Sequence, residues 1–79
     1  MNVLFFAQIR DFTGCGSVEI ETHDGVTADA VWIGLEQQFR GIEKFRGTTR
    51  LARNGVFASA DERFVQSDEV ALIPPVSGG

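Results

Sequence analysis

Seventy-nine residues, 43% apolar and 23% charged, suffice for one small globular domain and do not read as a disordered chain. A formal charge of −4, with seven basic residues scattered along the chain, leaves no footprint for a phosphate backbone. No apolar run approaches the ~20 residues a membrane helix needs, so neither nucleic acid nor membrane is expected as a partner.

The first stretch, "NVLFFAQ", reads as a strand, because Val3, Leu4, Phe5 and Phe6 are bulky and β-prone. "RDFTGCG" breaks it. "SVEIET" then alternates, Val18 and Ile20 pointing one way and Glu19 and Glu21 the other. With only breaker residues between them, the two strands are expected to form an antiparallel hairpin. Asp24-Gly25 marks a turn. Thr27 is a suitable N-cap, and Asp29 in the first turn favours the helix dipole. Ala28, Val31, Trp32, Leu35, Phe39 and Ile42 come next at spacings of three and four. They form one apolar stripe and predict a helix from about Thr27 to Ile42. Glu36 and Arg40 are ordered for an i,i+4 pair on its wet side. Gly41 weakens that helix, and Gly47 helps end any continuation through "IEKFRG".

"RLARNGVFAS" places Asn54-Gly55 between two short β-prone arms, the signal of a type I′ hairpin turn. "ADERFVQSD" reads as a polar connector anchored by Phe64 and Val65. "EVALI" is the last strand, ended by Pro74-Pro75, which cannot donate to a ladder. The order β-β-α-β-β-β predicts an α+β domain, with one helix covering one face of a mixed sheet. "VLFF" and "VALI" lack polar alternation, so the first and last strands are expected to lie side by side, parallel, at the sheet centre. Side chains alternate, so Val3 and Phe5 share one face while Leu4 and Phe6 share the other. Whichever pair meets the helix, a phenylalanine is left on the uncovered side, and such a patch on a small domain marks a partner site.

Sites of stand-alone chemistry are scarce. Cys15 is the one cysteine, so no intrachain disulfide is possible, and it reads as a tolerated loop thiol. His23 is the one histidine, and one of each makes too poor a set for a metal to be expected. "GCG" is too short for a phosphate loop and opens no helical pattern. "MNVLFFAQIR" lacks the leader of a secretory signal, which makes the cytoplasm the expected compartment.

The opening strand "VLFFAQIRDFTG", the Asn-Gly hairpin and above all the closing "DEVALIPPVSGG" resemble the small subunits of molybdopterin synthase, the sulfur carriers of molybdenum cofactor biosynthesis. The resemblance spans the whole chain and is sharpest over residues 3–14 and 68–79. It implies a ubiquitin-like β-grasp domain over residues 1–73 and a flexible Gly-Gly tail over residues 74–79. It also implies that the Gly79 α-carboxylate is the working group. A ubiquitin-activating-like adenylyltransferase, using ATP and magnesium, would adenylate it. A sulfur donor would convert it to a thiocarboxylate. Docked on the large subunit, in a heterotetramer, the carrier would pass sulfur to cyclic pyranopterin monophosphate to build the molybdopterin dithiolene. The chain itself would bind no cofactor and would not be catalytic alone.

The same resemblance assigns tail insertion to Pro74, Pro75, Val76, Ser77 and Gly78, and partner docking to Phe6, Phe57 and Ile73. Glycine clears a narrow channel, and prolines stiffen the exit and lower the ordering cost. Extended at ~3.3 Å per residue, Pro74 to Gly79 spans about 20 Å. Two neighbouring readings share the tail and its adenylation: the sulfur carrier of thiamine thiazole synthesis and a ubiquitin-like protein modifier. A plain interaction domain with an inert tail is a third.

Overall fold

The computed structural model describes residues 1–75. Its seven strands and two α-helices are β1 (Asn2–Phe5), α1 (Ala7–Thr13), β2 (Ser17–Glu19), β3 (Val26–Thr27), α2 (Ala28–Gln38), β4 (Arg50–Arg53), β5 (Val56–Phe57), β6 (Arg63–Phe64) and β7 (Glu69–Ile73). A 3-10 helix, Ile42–Thr48, lies between α2 and β4. The main sheet has the order β2-β1-β7-β4-β5, and β3 pairs with β6 in a separate two-stranded ladder. β1 and β7 run parallel at the centre, with Val3 opposite Val70 and Phe5 opposite Leu72. The other pairings are antiparallel. This is the ubiquitin-like β-grasp: a mixed sheet crossed on one face by a single main helix.

Alternation along the two central strands decides which side is core. Val3, Phe5, Val70 and Leu72 are fully buried and meet Val31, Trp32 and Leu35 of α2. Phe39 closes this layer with its ring at right angles to that of Phe5, centroids 5.5 Å apart. Thr27 caps α2 as expected, its hydroxyl accepting from the Ala30 amide at 3.4 Å. Asn54 (φ 51°) and Gly55 (φ 87°) both occupy the left-handed region, as a type I′ turn requires.

Three expectations need correction. First, β1 stops at Phe5, and the residues expected to finish the strand and break it form helix α1. Ile9 and Phe12, three apart, give α1 an apolar side: Ile9 is fully buried and Phe12 packs against the core. Strand propensity in "FFAQ" yields to that burial. β1 and β2 still pair antiparallel, across a helix rather than a tight turn.

Second, α2 ends at Gln38 instead of continuing to Ile42. Gly41, at φ 95°, turns the chain, and Ile42 reaches the core from the 3-10 helix. Glu36 does not pair with Arg40. Its carboxylate accepts from the amides of Gly41 (2.8 Å) and Glu43 (3.0 Å), and these bonds hold it below the usual carboxylate range.

Third, the polar connector holds a strand. Phe64 is fully buried and pairs with Val26, whereas Val65 is exposed. Two residues are too few to show a period.

Leu35 touches no solvent at the centre of the helix–sheet layer. Leu35→Ala should cost roughly 2–5 kcal/mol, read as a lower midpoint in chemical denaturation. An unchanged midpoint would contradict this packing.

Candidate functional site: the uncovered face of the sheet

With Val3, Phe5, Val70 and Leu72 turned to the helix, the intervening residues face the other way. Register aligns them into a row: Leu4 lies opposite Ala71, Ala71 opposite Ala52, and Ala52 opposite Phe57. The two alanines make the row low in its middle. Phe6, Phe57 and Ile73 rise around it, leaving an apolar groove of about 310 Å³. Phe6 is 43% and Phe57 51% exposed, high values for phenylalanine.

Local backbone geometry puts each wall in place. Phe6 retains extended angles (φ −135°, ψ 157°), so it continues the alternation of β1 one residue beyond the strand. Ala7, at φ 50°, then turns the chain into α1. A left-handed alanine costs roughly 1–2 kcal/mol, and that turn is what keeps Phe6 on the open face. Phe57 is delivered by the Asn54-Gly55 turn, in the phase that matches Ala52. Ile73 is the last residue of β7, and Pro74 and Pro75 leave the sheet directly after it. The structure thus brings Phe6, Phe57 and Ile73 to one groove and places Pro74 and Pro75 at its end. Val76, Ser77, Gly78 and Gly79 lie outside the described residues.

Two contributors were not visible in the sequence alone. Asp68 is the one buried polar side chain among the described residues. Its carboxylate accepts from the Val65 amide (2.8 Å) and from Asn54 Nδ2 (3.0 Å). Asn54 also accepts at Oδ1 from the Glu69 amide (2.9 Å), and its own amide donates to the Glu69 carbonyl (2.8 Å). Asn54 therefore does more than turn: it clamps the β4–β5 hairpin to the start of β7, fixing Phe57 relative to Ile73. The available signal was a Ser-Asp pair just before a strand, a position where short polar side chains bond nearby backbone. The second contributor is Arg50, opposite Ile73, whose guanidinium lies 3.9 Å from the centroid of the Phe57 ring.

A larger cavity, about 490 Å³, lies between the start of α2, the 3-10 helix and β4. Arg50 also borders it, and its other polar side chains are already paired within the chain. Thr27 caps α2, Arg46 holds Asp29 at 2.7 Å, and the Thr49 hydroxyl donates to the Phe45 carbonyl at 2.7 Å. The groups with shifted pKa values also lie away from the groove. Glu36 is lowered by backbone amides and Glu62 by the Ser59 amide, while the Asp29 partner raises Arg46. Among the described residues no group of three or more His, Cys, Asp or Glu side chains is placed to hold a metal ion. No described helix is long and apolar enough to cross a membrane.

The ThiS family matches residues 3–79, nearly the whole chain. The chain belongs to the ThiS family. Among its relatives, the molybdopterin synthase sulfur carrier subunit of Haemophilus influenzae is 36% identical over 83 residues, covering 100% of this chain and 99% of that protein. The subunit of the same name from Arabidopsis thaliana is 32% identical and covers 100% of this chain and 82% of its own length. Among solved structures, small archaeal modifier protein 1 of Haloferax volcanii superposes with a TM-score of 0.84 at 25% identity, covering 96% of this chain and 97% of that one.

Asn54→Gly keeps the turn geometry but removes the clamp and leaves Asp68 short of a donor. It should cost about 1–3 kcal/mol. Asn54→Ala adds left-handed strain and should cost about 1 kcal/mol more. Thermal melts of both variants check this; a wild-type melting temperature for Asn54→Gly would show that the side chain clamps nothing.

Proposed function

We propose that this chain is the sulfur carrier subunit of a molybdopterin synthase, acting in the cytoplasm and not catalytic alone. The reading is carried by the exposed apolar face that runs directly into Pro74-Pro75, in a chain whose full-length relatives are named as such carriers. The Gly79 α-carboxylate is the working group. A carboxylate is a poor electrophile, so a ubiquitin-activating-like adenylyltransferase joins it to AMP from magnesium ATP, releasing pyrophosphate. A sulfur donor then displaces AMP and leaves a thiocarboxylate. The charged carrier docks on the large subunit through Phe6, Phe57 and Ile73. Its tail, Pro74 to Gly79, enters the active site and yields sulfur to cyclic pyranopterin monophosphate, forming the dithiolene.

Each step needs the terminal carbonyl carbon held close to its reaction partner. The docked body supplies that positioning, and Gly78 and Gly79 offer no Cβ to obstruct a narrow channel. The acidic surface of the domain, at −4, favours approach to basic partners. A second reading, a ubiquitin-like protein modifier joined through Gly79 to a target amine, is favoured by the backbone likeness to small archaeal modifier protein 1. Both begin with the same acyl-adenylate, and intact mass after reaction separates sulfur-for-oxygen exchange from a conjugate.

Deleting Gly79 shortens the tail by about 3 Å, and a misplacement of ~1 Å can cost on the order of a hundredfold in rate. The deletion, and the addition of one residue after Gly79, should leave folding and docking intact and abolish thiocarboxylate formation. Intact mass with the activating enzyme, followed by molybdopterin yield, checks this. Wild-type yield from the deletion would sink the sulfur-carrier reading.

A further inference from the structure

The groove is apolar along its length but not at its ends. β7 contributes Glu69, Ala71 and Ile73 to it in sequence, so Glu69 marks one end and Ile73 the other. These two residues are about 13 Å apart along an extended strand. Arg50 stands opposite Ile73 in the antiparallel β4–β7 ladder, on the same face and at the end where the chain leaves through Pro74. A guanidinium therefore stands over Phe57 at the rim of the groove's tail end, and a carboxylate lines its far end.

Arg50 differs from the arginines that serve this chain's own structure. Arg46 pairs with Asp29 and Glu43, Arg53 with Glu62, and Arg63 donates to the Gly25 carbonyl. Like Arg10 and Arg40, Arg50 has no side-chain hydrogen-bond or ion-pair partner among the described residues, but of these three only Arg50 stacks on an aromatic ring of the sheet face. It is exposed, and its guanidinium lies over the Phe57 ring at 3.9 Å. Stacking engages one face of the planar group and restricts its rotamers, while the N–H donors along its edge stay free. A pre-oriented guanidinium at the rim of an apolar groove is matched by a carboxylate, which it can bind through two parallel hydrogen bonds.

We infer that Arg50 is a specificity-determining residue of the docking face: it recognises a carboxylate on the large subunit beside the point where the tail enters. This rests on the sulfur-carrier reading and deepens it. The partner surface is then an apolar protrusion with an acidic side chain toward the tail end and a basic one toward Glu69. That polarity fixes which way the partner lies along β7, and with it the direction in which the tail is fed.

Isothermal titration of the large subunit with wild type, Arg50→Lys, Arg50→Met and Phe6→Asp tests the inference. Thermal melts confirm that each variant is folded. Methionine retains the packing on Phe57 but not the charge. Losing a charge-assisted hydrogen bond should weaken binding about tenfold or more in Arg50→Met. Arg50→Lys keeps the charge but neither the stacking nor the two-bond geometry and should fall between wild type and Arg50→Met, and wild type should show a steeper salt dependence than Arg50→Met. Arg50→Met within about twofold of wild type, or a salt dependence no steeper for wild type than for Arg50→Met, would overturn the assignment while leaving the parent reading in place, provided Phe6→Asp abolishes binding. Failure of the wild-type chain to bind the large subunit at all would overturn both.

Discussion

The parallel pairing of β1 with β7 is the constraint on which the rest depends. It joins the two most apolar segments of the chain at the centre of the sheet and sets Val3 beside Val70 and Phe5 beside Leu72. A slip of one residue would turn either Leu4 and Phe6 or Ala71 and Ile73 toward α2 and expose that strand's share of the present core. Only one helix covers the sheet, so the register determines both what is buried and what is presented. The same pairing brings the last strand to the middle of the sheet, and the tail therefore starts beside the groove rather than at a remote edge.

Leaving an apolar face uncovered is a liability in a small domain, and the sheet limits it. Its edge strands are short, three residues in β2 and two in β5. They offer little unpaired backbone for a second chain to extend. The exposed apolar surface lies on the sheet face instead, where association depends on side-chain complementarity. Arg50, over Phe57 at the rim, and Glu69, at the far end of the groove, supply charges that a wrong partner would have to desolvate.

Much of this was legible in the sequence because it rested on patterns longer than a few residues. The stripe from Ala28 to Leu35 marked α2, the missing alternation in "VLFF" and "VALI" marked the central pair, and Asn54-Gly55 marked the hairpin. From these, together with the family resemblance, came the grouping of Phe6, Phe57 and Ile73 on one face. What escaped was decided by contacts across the fold. α1 carries only two core residues, Ile9 and Phe12, in a stretch rich in breakers. β6 is two residues long and is defined by its partner β3. Glu36 had a plausible local partner in Arg40, but the amides after Gly41 offered stronger bonds. Asp68 acts through Asn54, fourteen residues away, and Arg50 meets Phe57 across the β4–β5 hairpin, a contact that depends on its register.

The central claim is that the uncovered sheet face, and not the helical side, meets the partner that receives the tail. Amide and methyl NMR spectra of the labelled chain, recorded with and without the large subunit, test it most directly. The account predicts that shift changes and lost intensity cluster at Leu4, Phe6, Ala52, Phe57, Ala71 and Ile73, while Ile33 on the exposed side of α2 is unmoved. Changes centred on Ile33 and the outer surface of α2, with the groove residues unaffected, would contradict it.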